Sequence, residues 1–417
     1  MQLNDQQQAV AAHRDGPLLV LAGAGTGKTH TLTQRVYQLL EDGIEAPDIL
    51  LLTFTRKAAE EMLERVKNLQ QLNGISSGAP ITGGTFHSLA FSFLRRFSGQ
   101  NIFNLLDDKD QQQALKKFCA DKESTLPDEI PLKKILSLFS LHKNTQRDFI
   151  SLGLEQKINR ELINQIAELY SLWDQEKKNK QLFDFDDMLC QLLDLLRSSK
   201  GPEIRRQFRY IMVDEFQDCT ALQVEILKEL CRDAANLMLV GDDCQSIYGF
   251  RGAESGLSRE MPKSFPGMET KFLTDNYRST QQILDFSNDI LLNSSEVINK
   301  ELRSANDSEG DEVKVHCLKT EKDIAEQTLE FIRQEQLNGT ALEKQAVLYR
   351  NSQQALQLEM RLMEQGIPYK KAGGLKIAES KHLKDFLSLL TILYAPQKEI
   401  AWLRCLKLVP AIGDKTV

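Results

Sequence analysis

A glycine-rich stretch near the N-terminus has the residue types that bind nucleotide phosphates. It follows an apolar run at 18–21, which predicts a buried strand, and it precedes a helical pattern at 32–40. Glycines leave the backbone N–H groups open to a triphosphate, Lys28 would place its charge on the β and γ phosphates, and Thr29 would offer its hydroxyl to Mg²⁺. We predict nucleotide binding by Ala22, Gly23, Ala24, Gly25, Thr26, Gly27, Lys28 and Thr29.

Two adjacent carboxylates follow a second apolar run, at 210–213. Adjacent residues at the end of a strand point in different directions, so one carboxylate can hold Mg²⁺ while the other faces an attacking water molecule. We therefore predict Asp214 as the metal partner and Glu215 as the general base of phosphoryl transfer.

Two later loops combine polar and aromatic residues. The loop at 241–252 has polar groups that could sense a γ phosphate, together with Tyr248 and Phe250, so it could couple the nucleotide to a stacked base. In the second loop, Arg278 could stabilise the charge of a transferring phosphoryl group, and Tyr277 could stack on adenine.

Two junctions between a predicted strand and a predicted helix carry aromatic residues. Phe54 follows the apolar run at 49–52 and so lies at the carboxyl edge of the sheet, where open α/β proteins bind ligands. With Thr55 beside it, Phe54 could stack a base, although a core position is the alternative. The stretch at 83–88 is a second junction of this kind, with an aromatic residue, a histidine and hydroxyls.

The order of these patterns predicts an α/β fold with parallel strands flanked by helices. Between about residues 91 and 190 the strands stop and long helical patterns follow one another, which indicates a helical insertion. Its lysine-rich run at 177–180 is predicted to be a solvated face, with phosphate contact as the lesser alternative. Strands are also predicted at 313–315 and 346–349, and the pattern turns helical again from residue 380.

Composition narrows the class of protein. The 417 residues are 41% hydrophobic and 27% charged, as in globular proteins. No apolar run approaches the ~20 residues of a membrane span, and the N-terminus lacks the features of a signal peptide, so we expect no membrane association and a cytoplasmic location. The seven cysteines form no Cys-x-x-Cys pair, which argues against zinc and iron–sulfur sites. The net charge of −7 argues mildly against a nucleic-acid binder but leaves a local basic groove open.

Taken together, the motifs resemble those of superfamily-one DNA helicases of the UvrD/Rep/PcrA type, and the resemblance covers essentially the whole chain. A glycine-glycine-leucine-lysine stretch at 373–376 lies where such proteins enter their second accessory domain. The matching motifs are Leu3-Asn4 with Gln7, AGAGTGKT at 22–29, TFTRKAAEEM at 53–62, TFHS at 85–88, DFDD at 184–187, VDEFQD at 213–218, GDDCQSIYGFRGA at 241–253, NYRS at 276–279 and LYR at 348–350.

The resemblance implies ATP and Mg²⁺ as cofactors and assigns roles by position. It places Lys28 and Thr29 at phosphate and Mg²⁺, Asp214 at the metal and Glu215 on the attacking water. Gln245 and Arg278 would touch the γ phosphate, while Gln7 would read adenine and Tyr277 would stack on it. From the residues alone, the glutamines at 6–8 could equally be a solvated helix end. The residues implied to contact single-stranded DNA are Phe54, Thr55, Phe86, His87, Tyr248 and Phe250.

Two departures from the family pattern lie in the 241–253 loop. Phe250 occupies a place often held by tryptophan, and Gly249 one often held by arginine, so base stacking there is expected to be weaker.

The resemblance also implies a domain organisation. A first RecA-like ATP-binding domain would be formed by residues 1–90 and 191–280, with residues 91–190 as a helical accessory insertion. Residues 281–378 would be a partial second RecA-like domain, and residues 379–417 the start of a truncated second helical accessory domain. We expect the family's later motifs, which supply a second arginine to the nucleotide cleft, to be missing from this chain, and ATP hydrolysis by the 417 residues alone to be poor.

The function implied is an ATP-dependent DNA helicase or translocase of 3′-to-5′ polarity, acting on single-stranded DNA or a single-strand/duplex junction in repair, replication or recombination. One alternative is a nucleotide- and DNA-binding module without unwinding activity, which the missing arginine would favour. A P-loop kinase or GTPase is a second alternative. It would leave the aromatic motifs unexplained, and the chain has no guanine-reading Asn-Lys-x-Asp motif.

Overall fold

The computed structural model describes most of the chain: residues 2–72, 80–98, 104–121, 129–232, 236–253, 256–293, 298, 300–306, 309–372 and 381–409. Contacts divide the chain into two compact units, Met1–Val313 and Lys314–Val417, and each is described by itself. The stretch at 373–376 lies outside the described residues. None of the described helices is both long and apolar enough to cross a membrane.

The first unit is built on a parallel sheet whose six strands, among the described residues, have the order β3-β2-β4-β5-β1-β6. A separate pair, β7 and β8, is also parallel. The strands are β1 (Leu18–Ala22), β2 (Ile49–Leu52), β3 (Thr82–Gly84), β4 (Tyr210–Asp214), β5 (Asn236–Gly241), β6 (Glu269–Leu273), β7 (Asp275–Asn276) and β8 (Arg303–Ser304).

Helices cover both faces of this sheet. Those of the first unit are α1 (Asp5–Ala11), α2 (Lys28–Glu41), α3 (Arg56–Leu72), α4 (Phe86–Phe93), α5 (Asp108–Asp121), α6 (Leu132–Thr145), α7 (Phe149–Glu155), α8 (Arg160–Asn179), α9 (Phe185–Arg197), α10 (Gly201–Arg205), α11 (Ala221–Leu230), α12 (Leu257–Ser264) and α13 (Gln281–Leu292).

Each central strand contributes to two cores because successive side chains point to opposite faces of the sheet. Leu19 and Leu21 of β1 pack in one core with apolar residues of α4, α9 and α11. Leu18 and Val20 of the same strand pack in the other, with residues of α1, α2 and α3. A strand buried on both faces needs apolar residues throughout, which is why these strands were visible in the sequence as continuous apolar runs.

Between β3 and β4 the described residues form α4 to α10 and no strand, and the helical insertion with its bounds 91–190 stays a prediction. The lysine-rich run, however, is not a solvated face throughout. Lys177 is only 2% exposed and pairs with Asp184 and Asp187, which also pair with the buried Lys143. The run therefore supplies part of the ionic contact that joins α8 to the start of α9.

The second unit is helical in its described part: α14 (Glu321–Leu337), α15 (Ser352–Glu364), α16 (Lys381–Tyr394) and α17 (Glu399–Leu406). Ala325 and Leu329 of α14 pack on Leu358 and Leu362 of α15.

The strands predicted at 313–315 and 346–349 are not formed. Val315 is 72% exposed and Leu348 is 96% exposed. An extended segment becomes a strand only when a neighbour supplies the hydrogen-bond ladder, and the described residues supply none there.

Candidate nucleotide site and aromatic surface

The phosphate loop runs from the end of β1 to the start of α2. Gly25 and Gly27 have φ angles of 75° and 81°, in the left-handed region that favours glycine, and Gly27 is the residue from which α2 begins. Lys28 is the first residue of α2 and is buried. The positive end of the helix dipole therefore points toward the turn, where a phosphate would be stabilised.

Three carbonyl groups of this loop are held by side chains and backbone from elsewhere in the unit. Asn276 Nδ2 donates to the Ala24 carbonyl at 2.5 Å, and the Tyr277 backbone N–H donates to the Gly25 carbonyl at 2.9 Å. Gln7 Nε2 donates to the Thr26 carbonyl at 2.9 Å. Because these carbonyl oxygens accept hydrogen bonds from elsewhere, their partial negative charges are not directed at an incoming phosphate.

The two predicted adenine-contacting residues lie close to each other. Gln7 Oε1 accepts from the Asn4 backbone N–H at 3.1 Å, and Asn4 Nδ2 donates to the Tyr277 hydroxyl at 2.9 Å. The Nε2 and Oε1 atoms of the Gln7 amide thus each make one hydrogen bond, and each can make one more. Adenine reading by Gln7 and stacking by Tyr277 stay predictions.

The structure brings the phosphate-loop residues to the end of β4. Lys28 Nζ lies 3.2 Å from Glu215 Oε2, and the Thr29 hydroxyl donates to Asp214 Oδ2 at 3.3 Å. Burial, and then the charge of Glu215, raise the pKa of Asp214 to about 6. A hydroxyl and a carboxylate at this separation are the hard oxygen donors that Mg²⁺ prefers, so Thr29 and Asp214 fit the predicted metal site.

Glu215 has a strained backbone. Its φ and ψ are 54° and 44°, in the left-handed region that costs a non-glycine residue free energy. The side chain accepts a hydrogen bond from Gln217 Nε2 at 2.7 Å in addition to its contact with Lys28. Strain of this kind persists where the surroundings over-determine it, which is common at functional sites.

A chain of hydrogen bonds continues from Glu215 into the 241–252 loop. Gln217 Oε1 accepts from the Asp242 backbone N–H at 2.9 Å, and Gln245 Nε2 donates to Asp242 Oδ2 at 2.6 Å. Arg278 is placed by its backbone N–H, which donates to Asn276 Oδ1 at 2.8 Å. Gln245 thus lies on a loop that is linked to Glu215 through Gln217, and Arg278 lies on a segment that contacts the phosphate loop.

Aromatic side chains from separate elements meet on one surface. The ring centroids of Phe54 and Tyr248 are 4.9 Å apart, and those of Tyr248 and Phe250 are 5.9 Å apart. Phe250 is 60% exposed. His87 forms a second contact with Phe185, at 5.8 Å. Burial lowers the pKa of His87, partly offset by the nearby Asp186, so the ring favours its neutral form.

Two residues predicted to contact DNA, Phe86 and Thr55, make contacts within the protein. Phe86, the first residue of α4, is 4% exposed and packs in the core with apolar residues of the sheet, and its DNA contact stays a prediction. Thr55 Oγ1 accepts from the Ala58 backbone N–H at 3.2 Å and so caps the start of α3.

Comparison with known proteins places the chain in a family. The model of the UvrD/REP helicase N-terminal domain matches residues 3–266, and that of the UvrD-like helicase C-terminal domain matches residues 272–417. The chain belongs to the UvrD/REP helicase family.

Curated relatives of this family member are named ATP-dependent DNA helicase PcrA. The protein of Staphylococcus aureus is 34% identical over 421 aligned positions, covering 99% of this chain and 56% of the relative. That of Leuconostoc citreum is 34% identical over 414 positions, covering 96% and 54%. The chain spans about half the length of the curated relatives it matches.

The expectation that this UvrD/REP family member lacks the C-terminal motifs is wrong at the level of the family models, because the C-terminal model matches residues 272–417. The expectation of poor ATP hydrolysis rested on that absence and falls with it.

Sequence reasoning missed several residues that hold the site of this family member together. Gln217, Asp242 and Asn276 each contact a residue with a predicted role. All three lie inside motifs that carry the resemblance, so their positions were visible while their contacts were not. Phe185 lies in the DFDD motif, for which no role was predicted, and it is 44% exposed beside His87.

Proposed function

We propose that this protein is an ATP-dependent DNA helicase that moves along single-stranded DNA in the 3′-to-5′ direction, with Mg²⁺ as its metal. The observation that carries the proposal is the 241–250 loop. Its Asp242 contacts Gln217, which in turn contacts Glu215, and its Tyr248 contacts Phe54 of the aromatic surface. A single-strand/duplex junction as substrate, a role in DNA repair, replication or recombination, and a cytoplasmic location are parts of the same proposal.

In this proposal ATP hydrolysis is carried out by residues of the first unit. Lys28 and the start of α2 hold the β and γ phosphates, and Thr29 and Asp214 hold Mg²⁺, which would neutralise phosphate charge when bound. Glu215 accepts the proton of the attacking water, and Arg278 and Gln245 stabilise the charge of the γ phosphoryl group.

DNA is held by base stacking in the proposal. Phe54, Tyr248, Phe250 and His87 supply aromatic faces, each worth about 1–3 kcal/mol per stacked base in other single-strand binders. Because Tyr248 and Gln245 belong to one loop, a change at the γ phosphate alters the position of a DNA-contacting ring. This is the step that would convert hydrolysis into movement.

The test is steady-state ATP hydrolysis with and without single-stranded DNA, together with strand displacement on a duplex with a 3′ single-stranded tail. Wild type is expected to hydrolyse ATP faster with DNA, and Glu215→Gln is expected to reduce turnover by at least ~100-fold because the general base is lost. Glu203→Gln removes an exposed carboxylate of α10 and serves as the matched control.

The outcomes separate the alternatives. DNA-stimulated hydrolysis without strand displacement would favour a nucleotide- and DNA-binding module over a helicase. If wild type and every variant hydrolysed ATP at the same rate with and without DNA, the coupling assigned to the 241–250 loop would be contradicted.

A further inference from the structure

A lysine with no role in any of the recognised motifs is buried next to the 241–250 loop. The side chain of Lys300 is 2% exposed. Its Nζ lies 2.7 Å from Asp242 Oδ1 and also forms an ion pair with Asp243. Burial of three charged groups is costly unless they are paired, so this contact has a specific geometry to maintain.

The same carboxylates would otherwise suggest a metal site. Asp242, Asp243 and Cys244 each offer one ligand atom, and these three atoms lie within 4.8 Å of one another. The ammonium group of Lys300 already pairs with both carboxylates, and their charges raise its pKa although burial alone would lower it. Lys300 is therefore their counter-ion.

Lys300 belongs to a segment that runs from the 241–250 loop to the phosphate loop. At one end, the Ile298 backbone N–H donates to Asp243 Oδ2 at 2.5 Å. At the other, Leu302 exchanges two backbone hydrogen bonds with the side chain of Asn288, at 3.2 and 3.0 Å. The Leu302 side chain packs against Gly23, where an added Cβ would lie 2.4 Å from it.

Asp242 is the point at which these contacts converge. Its Oδ1 binds Lys300, its Oδ2 accepts from Gln245, and its backbone N–H donates to Gln217, which in turn contacts Glu215. A change in the position of Lys300 would therefore move the carboxylate that orients Gln245.

We propose that Lys300 is a positioning residue that couples the nucleotide site to the DNA-contacting loop. Lys300 holds Asp242 and Asp243 in place, and Asp242 in turn orients Gln245. When the nucleotide displaces Gln245, the held loop therefore moves Tyr248 with it. This inference rests on the proposed function and assigns part of its coupling to a residue outside the recognised motifs.

The experiment measures coupling by binding, using the full chain. The Kd for a fluorescent oligothymidylate is measured with and without a non-hydrolysable ATP analogue and Mg²⁺, and the ratio of the two is the coupling factor. By reciprocity, the DNA must change the Kd of the analogue by the same factor. We expect a factor of at least about five for wild type.

Lys300→Met is expected to bring the coupling factor within about twofold of one, while each Kd measured without the other ligand stays within about threefold of wild type. Lys300→Arg keeps the charge and is expected to recover coupling in part. Lys263→Met, an exposed position in α12, is the matched control and is expected to couple like wild type. A merely structural role would change the separate Kd values together with the coupling factor.

If Lys300→Met fails to fold, the coupling factor is measured with Lys300→Gln instead. This variant keeps a hydrogen-bond donor for the carboxylates but lacks the charge, and its coupling factor is expected to be reduced. Wild-type coupling in the folded neutral variant would overturn the role of Lys300 and leave the proposed function intact. Absence of coupling in wild type would overturn both.

Discussion

Glu215, the proposed general base, has a backbone conformation that residues with a Cβ disfavour. With φ at 54°, any residue with a Cβ is strained there. Glu215→Gly and Glu215→Ala both remove the carboxylate and its contacts with Lys28 and Gln217, so comparing them isolates the backbone. We expect the glycine variant to be more stable than the alanine variant by about 1 kcal/mol, measured by urea-induced unfolding.

A helical position supplies the control for this comparison. Glu64 is an exposed residue of α3, and there alanine is expected to be the more stable substitution by about 1 kcal/mol. If alanine were also the better residue at position 215, the left-handed conformation of Glu215 would not be a source of strain.

Some residues of the site could be predicted from the sequence and others could not. The motifs predicted roles for Lys28, Thr29, Asp214 and Glu215 in one nucleotide site, and those roles stay predictions. The structure brings the four together, because a glycine-rich turn and an apolar strand fix their backbones. Phe86 has the same aromatic character as Phe54, and only packing distinguishes the buried ring from the partly exposed one. Lys300 could not be found, because its contacts depend on a loop 57 residues away in sequence.

Among the helices, α6 and α8 are joined to the start of α9 by a buried ionic cluster of Lys143, Lys177, Asp184 and Asp187. Lys177 Nζ lies 2.7 Å from Asp184 and 2.5 Å from Asp187. Lys177→Met leaves two buried carboxylates with one lysine, and we expect a loss of about 3–5 kcal/mol in the free energy of unfolding. Lys178→Met, whose exposed side chain pairs with Asp174 of the same helix, is expected to stay within about 0.5 kcal/mol of wild type. Equal effects in urea denaturation would contradict the role of the cluster.

The same cluster gives a pH dependence. Burial would raise the pKa of Asp184, but the charges of Lys143 and Lys177 outweigh it and hold the pKa well below the usual value of about 3.9. The unfolded state then binds more protons as the pH falls, so this contribution is complete above about pH 5 and is lost progressively below about pH 4. Asp184→Asn keeps a good helix cap while removing the charge. The stability difference between wild type and Asp184→Asn is expected to shrink as the pH is lowered from 5 to 3, and a constant difference would contradict the assignment.

Elements were predictable where local pattern and burial agree. The runs that form β1, β2, β4 and β5 are apolar along their length and buried on both faces, so no tertiary information was needed to find them. The run at 346–349 is equally apolar, yet strand formation depends on a neighbour that the local sequence cannot supply. Lys177 likewise differs from Lys178 only through the helices packed against it.

At the scale of the whole molecule, the chain between residues 281 and 313 stays with the first unit rather than beginning a second one. The physical reason is pairing: β8 lies parallel to β7, and Lys300 binds the carboxylates that follow β5. The domain boundaries read from the sequence, including the one between 280 and 281, stay predictions. The compact unit nevertheless contains every residue to which we assign a nucleotide contact.

This division predicts that residues 1–313 fold and bind nucleotide without the second unit. We expect the Kd of that fragment for a fluorescent ATP analogue with Mg²⁺ to lie within about threefold of that of the full chain, because contacts that position the phosphate loop are retained. A fragment of residues 1–280 keeps every motif residue of the site but loses β8, Leu302 and Lys300, and its affinity is expected to fall by at least about tenfold. Lys28→Ala in the longer fragment controls for binding elsewhere. If the two fragments bound equally well, the segment that follows residue 280 would not support the nucleotide site, and the boundary read from the sequence would be the functional one.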